Sequence, residues 1–351
     1  MLPSLDLAHA LTALLLYLPI AASAASLQPV TGFGTNPTNV GMYIYVPDKL
    51  ASRPPILVVP HACHGKAQDA YTGNQYATLA NTYGFIVIYP DSPNTADKCW
   101  DVSSPESLSH DGGGDAQGIV SMVKYALSKY NGDANRVFVT GTSSGAMMTN
   151  VLCGSYPDVF AAGAGFAGVA FGCFAGNGYD VWSDACAKGN IVKTGAEWAA
   201  LVTAAYPGYS GFRPKMQVFH GTADTTLYPQ NLQEEIKQWT TVLGLSVTAS
   251  SMTNNTPVAG WTRYKYGSTF EAYSAQGVPH NIPTQESTVM AWFDLTCTSG
   301  SCYSRPSNGS SESAGGPMQS GATTLSTIVT TAMGSLTAAG SRNTADATLY
   351  G

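Results

Sequence analysis

Arg136-Val-Phe-Val-Thr-Gly-Thr-Ser-Ser-Gly-Ala-Met-Met-Thr-Asn-Val-Leu152 is the stretch on which the fold turns. Val137, Phe138 and Val139 make a short β-branched and aromatic run, the composition of a buried strand. Gly141-Thr-Ser-Ser-Gly145 follows at once, and residues 146–152 read as a helix. Strand, tight turn and helix is the context in which G-x-S-x-G holds a serine on a strained turn with its hydroxyl exposed. Glycine is needed two positions either side, because a Cβ there would crowd strand against helix. Ser143 is the candidate nucleophile.

Working outward, the rest of the chain alternates strand and helix. Gly41-Met-Tyr-Ile-Tyr-Val-Pro47 is an alternating strand closed by proline. Residues 55–60, 85–89 and 216–220 are nearly continuous apolar runs, as in strands covered on both faces. Residues 160–169 form a further strand region behind the elbow, and 262–266 and 270–274 are late strands. Helical spacing is read over 76–82, from Asp115 (a candidate N-cap) through Leu127, over 232–242 and over 286–295. This pattern predicts the α/β class, with a mainly parallel sheet and helices on both faces.

A serine nucleophile needs a general base, held in turn by a carboxylate. On this architecture the three arrive in the order serine, acid, histidine. His9, His61, His64 and His110 all precede Ser143, which leaves His220 and His280. His220 ends a buried strand and reads as a structural group. His280 lies in the loop Gly277-Val-Pro-His-Asn-Ile-Pro283, free to swing over the carboxyl edge of the sheet, and is taken as the base. Asp224 follows strand 216–220 by one tight turn and is taken as the acid over Asp158, Asp180 and Asp184, which have no buried strand directly before them. The oxyanion of an acyl transfer needs two N–H donors. Ser144, next after the nucleophile, supplies one, and Cys63 in Pro60-His-Ala-Cys-His-Gly65 supplies the other by position. His61 and His64 are read as structural and exposed, and neither a metal nor a cofactor is invoked. Trp100 and Trp182, in loops near the expected cleft, are candidates for contact with a sugar.

The 351 residues are only 11% charged, with a net charge of −6 and no basic cluster, which argues against nucleic acid or an anionic membrane as partner. Residues 11–22 are apolar but too short to cross a bilayer, and Ala22-Ser23-Ala24 is a small-x-small cleavage pattern. Residues 1–24 are therefore read as a secretory signal peptide, although no Lys or Arg precedes the apolar run. The sequons at Asn254 and Asn308 and the seven cysteines suit that route. An odd count leaves one thiol over, read as buried and inert. The catalytic domain is placed at 30–296. Residues 297–351, rich in Ser, Thr, Gly and Ala without periodicity, are read as a disordered tail.

Several motifs in combination carry a family resemblance. Gly41-Met-Tyr-Ile-Tyr-Val-Pro47, Tyr83-Gly-Phe-Ile-Val-Ile-Tyr-Pro90, Cys99-Trp-Asp-Val-Ser-Ser104, the elbow, Tyr206-Pro-Gly-Tyr-Ser210 and Asp224-Thr-Thr-Leu-Tyr-Pro-Gln-Asn231 resemble the fungal acetylxylan and feruloyl esterases. These form the first carbohydrate esterase family, related to polyhydroxybutyrate depolymerases, and the resemblance spans roughly residues 28–295. It implies a cofactor-free α/β-hydrolase fold and a secreted, monomeric serine esterase acting on acetylated xylan, with feruloyl esterase as the alternative. It also implies a Cys63–Cys99 disulfide and suggests Cys173–Cys186, with Cys153–Cys186 as competitor. The chain departs from the family's usual pattern at Ala62 and His64 beside the oxyanion loop and at Pro279, Asn281 and Ile282 around His280. The tail resembles a linker to a cellulose-binding module, but no module follows.

Overall fold

The computed structural model describes residues 25–306. The signal peptide expected at 1–24 and the sequon at Asn308 lie outside them.

Ten strands form one sheet in the order β1-β2-β4-β3-β5-β6-β7-β10-β9-β8. The six in the middle are mutually parallel: β4 (Ile86–Asp91), β3 (Ile56–Val58), β5 (Val137–Thr142), β6 (Ala162–Phe166), β7 (Lys215–Gly221) and β10 (Phe270–Ala275). Antiparallel strands finish both edges, β1 (Gln28–Val30) and β2 (Gly41–Tyr45) on one side, β9 (Trp261–Lys265) and β8 (Ser251–Asn254) on the other. Beyond the expected strands this adds two short exposed ones, β1 and β8. Asn254, the first sequon, sits exposed at the end of β8.

Alternation along the central strands builds two cores. Ile56, Val58, Ile86, Ile88, Val137 and Val139 point to one face, toward α3 (Asp115–Tyr130), α4 (Ser144–Ser155) and α7 (Gln230–Val242). Leu57, Val87, Tyr89 and Phe138 point to the other, toward α1 (Ala67–Gly73), α2 (Tyr76–Tyr83) and α8 (Glu286–Phe293). Two short helices lie between β6 and β7, namely α5 (Asp184–Ala187) and α6 (Gly195–Ala204). With every residue of β3, β6 and β7 buried, the apolar runs in the sequence are the signature of strands sandwiched between helical layers.

Two expectations are corrected, and one helix is added. Asp115 is the first residue of α3 rather than its cap; Gly114 takes the cap position, and the Asp115 carboxylate instead accepts the N–H of Asp101. Helix α6 is not among the expected elements, although its start carries the T-x-x-E signal that Thr194 and Glu197 close into a reciprocal capping box. Ordered packing continues past residue 296, into the stretch taken as tail. Cys297 and Cys302 are bridged, Tyr303 donates its N–H to Asp294 and its hydroxyl to the Ala161 carbonyl, and Arg305 N–H bonds the Asn135 carbonyl. Composition alone hides this, because one half-buried tyrosine and one small covalent loop are enough to fasten residues 297–306.

β3 lies between β4 and β5, and the connections leaving β3 and β5 diverge. In open parallel sheets such a switch point opens a crevice at the carboxyl ends of the strands. Residues 59–66 and Ser143 meet there.

Candidate active site

β5 delivers Ser143 into a conformation that L-residues rarely adopt, φ 56° and ψ −121°. Its N–H is fixed to the Phe166 carbonyl at 2.8 Å. The tightness of this turn explains the two glycines. A Cβ on Gly145 would lie 2.2 Å from the Pro60 carbonyl oxygen, and one on Gly141 would lie 2.5 Å from the Gly145 carbonyl carbon.

His280 and Asp224 come from two loops pinned to each other. Ala223 N–H bonds the Val278 carbonyl at 3.0 Å, and Gly277 N–H bonds Thr222 Oγ1 at 2.8 Å. The result is a continuous chain: Asp224 Oδ2 stands 2.7 Å from His280 Nδ1, and His280 Nε2 stands 2.9 Å from Ser143 Oγ. An ionised carboxylate can only accept, so Nδ1 carries the proton and Nε2 is left to accept from the serine hydroxyl. Asp224 Oδ1 accepts the N–H groups of Thr226 and Leu227 at 2.8 and 2.9 Å. Burial is the largest single influence on Asp224 and acts to raise its pKa. The hydrogen bonds from His220, His280 and the Thr226 N–H together outweigh it and hold the carboxyl well below its ordinary range.

His220 is fully buried behind this acid. Its Nε2 donates to the Leu227 carbonyl at 2.7 Å and lies 3.3 Å from Asp224 Oδ2. Deeper still, Glu235 of α7 accepts from Asn150 Nδ2 at 2.8 Å, and Asn150 in turn accepts from Trp239 Nε1 at 2.6 Å. Burial pushes the Glu235 carboxyl up to about 7. Nothing in the sequence pattern marks Glu235 or Asn150, since both sit on helix faces that read as ordinary core.

On the opposite side of Ser143 lies the loop after β3. Cys63 is bridged to Cys99. Trp100, proposed from sequence as a sugar contact, is instead wholly buried. Its indole N–H donates to the His61 carbonyl at 2.8 Å and its backbone N–H to Ser144 Oγ at 2.7 Å. The ring is a peg between the Cys63 loop and the start of α4; an indole whose N–H finds a carbonyl packs inside at little cost. His61 is buried as well, accepting the Ser92 N–H at Nε2 and lying 4.9 Å from the Trp100 ring. Ser144 opens α4, where a first-turn N–H has no helical acceptor.

Ser143 and His280 open onto a cleft of about 400 Å³ whose walls include Ala62, Cys63, Asp97, Met147, Leu227 and Trp182. Trp182 is 52% exposed, packed edge-on against Phe174 and fixed through Nε1 to Asp184. Its loop is fastened by the Cys173–Cys186 disulfide. Cys153 has no disulfide partner and is buried, which pushes its thiol pKa up. The acid-and-cysteine cluster beside the cleft, Asp97, Cys99 and Asp180, offers a cation only two carboxylates, because the Cys99 sulfur is bridged. No helix among the described residues is long and apolar enough to cross a membrane.

Residues 40–255 match the family described as "Esterase PHB depolymerase". The chain belongs to this esterase family. Among its relatives, acetylxylan esterase A of Emericella nidulans is 52% identical over 273 residues, which is 77% of this chain and 90% of that protein. Acetylxylan esterase A of Aspergillus oryzae is 51% identical over 276 residues, covering 78% and 90%. Among solved structures, the acetyl xylan esterase from Aspergillus awamori superposes with a TM-score of 0.76 at 48% identity, covering 77% of this chain and 99% of that one. As a member of the esterase family the chain has the α/β-hydrolase fold, its flanking antiparallel strands set around a parallel centre.

Proposed function

We propose that the protein is a serine carboxylesterase that removes acetyl groups from acetylated xylan. The observation that carries this is the unbroken hydrogen-bonded chain from Asp224 through His280 to Ser143, opening on a cleft, in a chain half identical to acetylxylan esterases. Ser143 Oγ attacks the ester carbonyl while His280 Nε2 takes its proton. Asp224 holds the imidazole in the productive tautomer and stabilises the imidazolium as it forms. The developing oxyanion is met by the N–H groups of Cys63 and Ser144. His280 then protonates the departing sugar hydroxyl, and the acetyl group stays on Ser143. Water, deprotonated by the same histidine, releases acetate and restores the serine.

Trp182 presents an apolar ring at the cleft wall to the sugar that carries the ester. An insoluble wall polymer is met outside the cell, and three disulfides suit an oxidising, secretory compartment.

The deciding measurement supplies arabinoxylan bearing both acetyl and feruloyl esters and quantifies both products. Acetate release without ferulate is expected; ferulate as the main product would overturn the acetyl assignment. Ser143→Ala should fold normally and lose roughly 10⁶ in kcat.

A further inference from the structure

A xylan chain is longer than the cleft that holds its ester, so the polymer must leave that cleft along the surface. The structure offers a course for it. Two loops that wall the cleft continue into a second, open hollow of about 400 Å³ lined by Thr38, Pro93, Asn94, Thr95 and Tyr179. Asp97 and Trp182 face the cleft, whereas Asn94 and Tyr179, three residues before each in sequence, face the hollow. A hydrogen bond links the two linings, Asn94 Nδ2 donating to Asp97 Oδ1 at 2.7 Å. Asn94 also reaches across to Asp180, so the same amide ties both loops together.

Tyr179 is 42% exposed, yet its hydroxyl is fixed to the buried Asp115 carboxylate at 3.3 Å. Its loop is held from beneath as well, Asp180 N–H bonding Asp101 Oδ1 and Val181 N–H bonding Ser103 Oγ. The ring is thus immobilised before any ligand arrives, which removes part of the ordering cost of binding. The polar side chains of Asn94 and Thr95 line the hollow with it. A pyranose has a C–H face that packs on an aromatic ring and a rim of hydroxyls that bond such groups.

We propose that this hollow is a second sugar subsite, which takes a pyranose unit of the same xylan chain beyond the acetylated one. The proposal rests on the acetylxylan reading above. It makes Tyr179 a residue for polymer binding that small esters never touch.

The test compares Tyr179→Ala, Tyr179→Phe and the unaltered enzyme on two substrates, 4-nitrophenyl acetate and acetylated xylohexaose. For Tyr179→Ala, kcat/KM on the oligosaccharide should fall about threefold to tenfold through KM, while that on 4-nitrophenyl acetate stays within about twofold. Tyr179→Phe keeps the ring but loses its anchor to Asp115, and should recover most of the oligosaccharide rate. An equal loss on both substrates, or no loss on the oligosaccharide, would overturn the subsite and leave the acetylxylan reading standing. If the unaltered enzyme cleaved 4-nitrophenyl acetate but released no acetate from the xylohexaose, both readings would fall together.

Discussion

Replacing Glu235 by glutamine should stabilise the protein, and should do so more as the pH rises. Glu235 is buried, with one carboxylate oxygen bonded to Asn150 and the other, Oε2, without a partner; His220 Nδ1 is likewise buried and unpartnered. Burial raises the carboxyl pKa from 4.5 to about 7, against the smaller pulls of His220 and Asn150. Between those two values the folded protein keeps a proton that the unfolded chain has released, so stability falls as pH climbs through this window and the loss is complete above about 7. A shift of this size corresponds to about 3 kcal/mol. Glutamine keeps the oxygen that accepts from Asn150 and never ionises. The two proteins should melt together at pH 4.5, and at pH 8 the glutamine form should melt higher by roughly 4–6 °C. Calorimetric scans at pH 4.5, 6 and 8 and constant ionic strength make the comparison, in which titrating groups common to both proteins cancel. Parallel Tm curves across that range would refute the argument that Glu235 is a desolvated, unpaired acid.

Two further outcomes test the catalytic geometry. Asp224→Asn keeps the shape but offers an amide N–H or carbonyl where only an acceptor serves, so His280 loses its fixed tautomer; kcat on 4-nitrophenyl acetate should drop about 10⁴-fold, and Tm should fall as well, since the fold favours the ionised carboxylate. Removing the 36-residue-spaced Cys63–Cys99 bridge as the double alanine variant should cost about 3–4 kcal/mol in a denaturant titration, and should lower kcat more than it raises KM if Cys63 N–H is the oxyanion donor proposed above.

The parts of the fold that could be read from sequence were those enforced by sterics or by order along the chain. The glycines at 141 and 145 are compelled by backbone atoms within 2.5 Å of where a side chain would start, and that necessity is visible in the letters. That His280, rather than His220, lies against Ser143 was legible from the strand-loop pattern and the position of Ser143. What escaped was direction. Trp100 stands beside a cysteine in a loop, and nothing in its neighbours says that its ring turns inward to the His61 carbonyl rather than outward to a ligand. Tyr303 escaped for a similar reason: a lone aromatic in a Ser- and Gly-rich stretch has no periodicity, yet its ring stacks over Phe138 and its hydroxyl finds a strand carbonyl. Glu235 lay in a helix whose buried stripe tolerates a carboxyl only because Asn150, eighty-five positions away, comes to meet it.

The Trp100 peg has a consequence for how this molecule fails. The two N–H donors proposed for the oxyanion belong to separate segments, the loop after β3 and the first turn of α4, and could in principle drift apart independently. Trp100 bonds one segment with its indole and the other with its backbone, and the neighbouring Cys99 adds a covalent link to the first. The donors therefore move as one rigid body. Warming is thus expected to leave the proposed donor pair intact until the buried tryptophan is released, so that the loss of activity and the collapse of the surrounding core coincide.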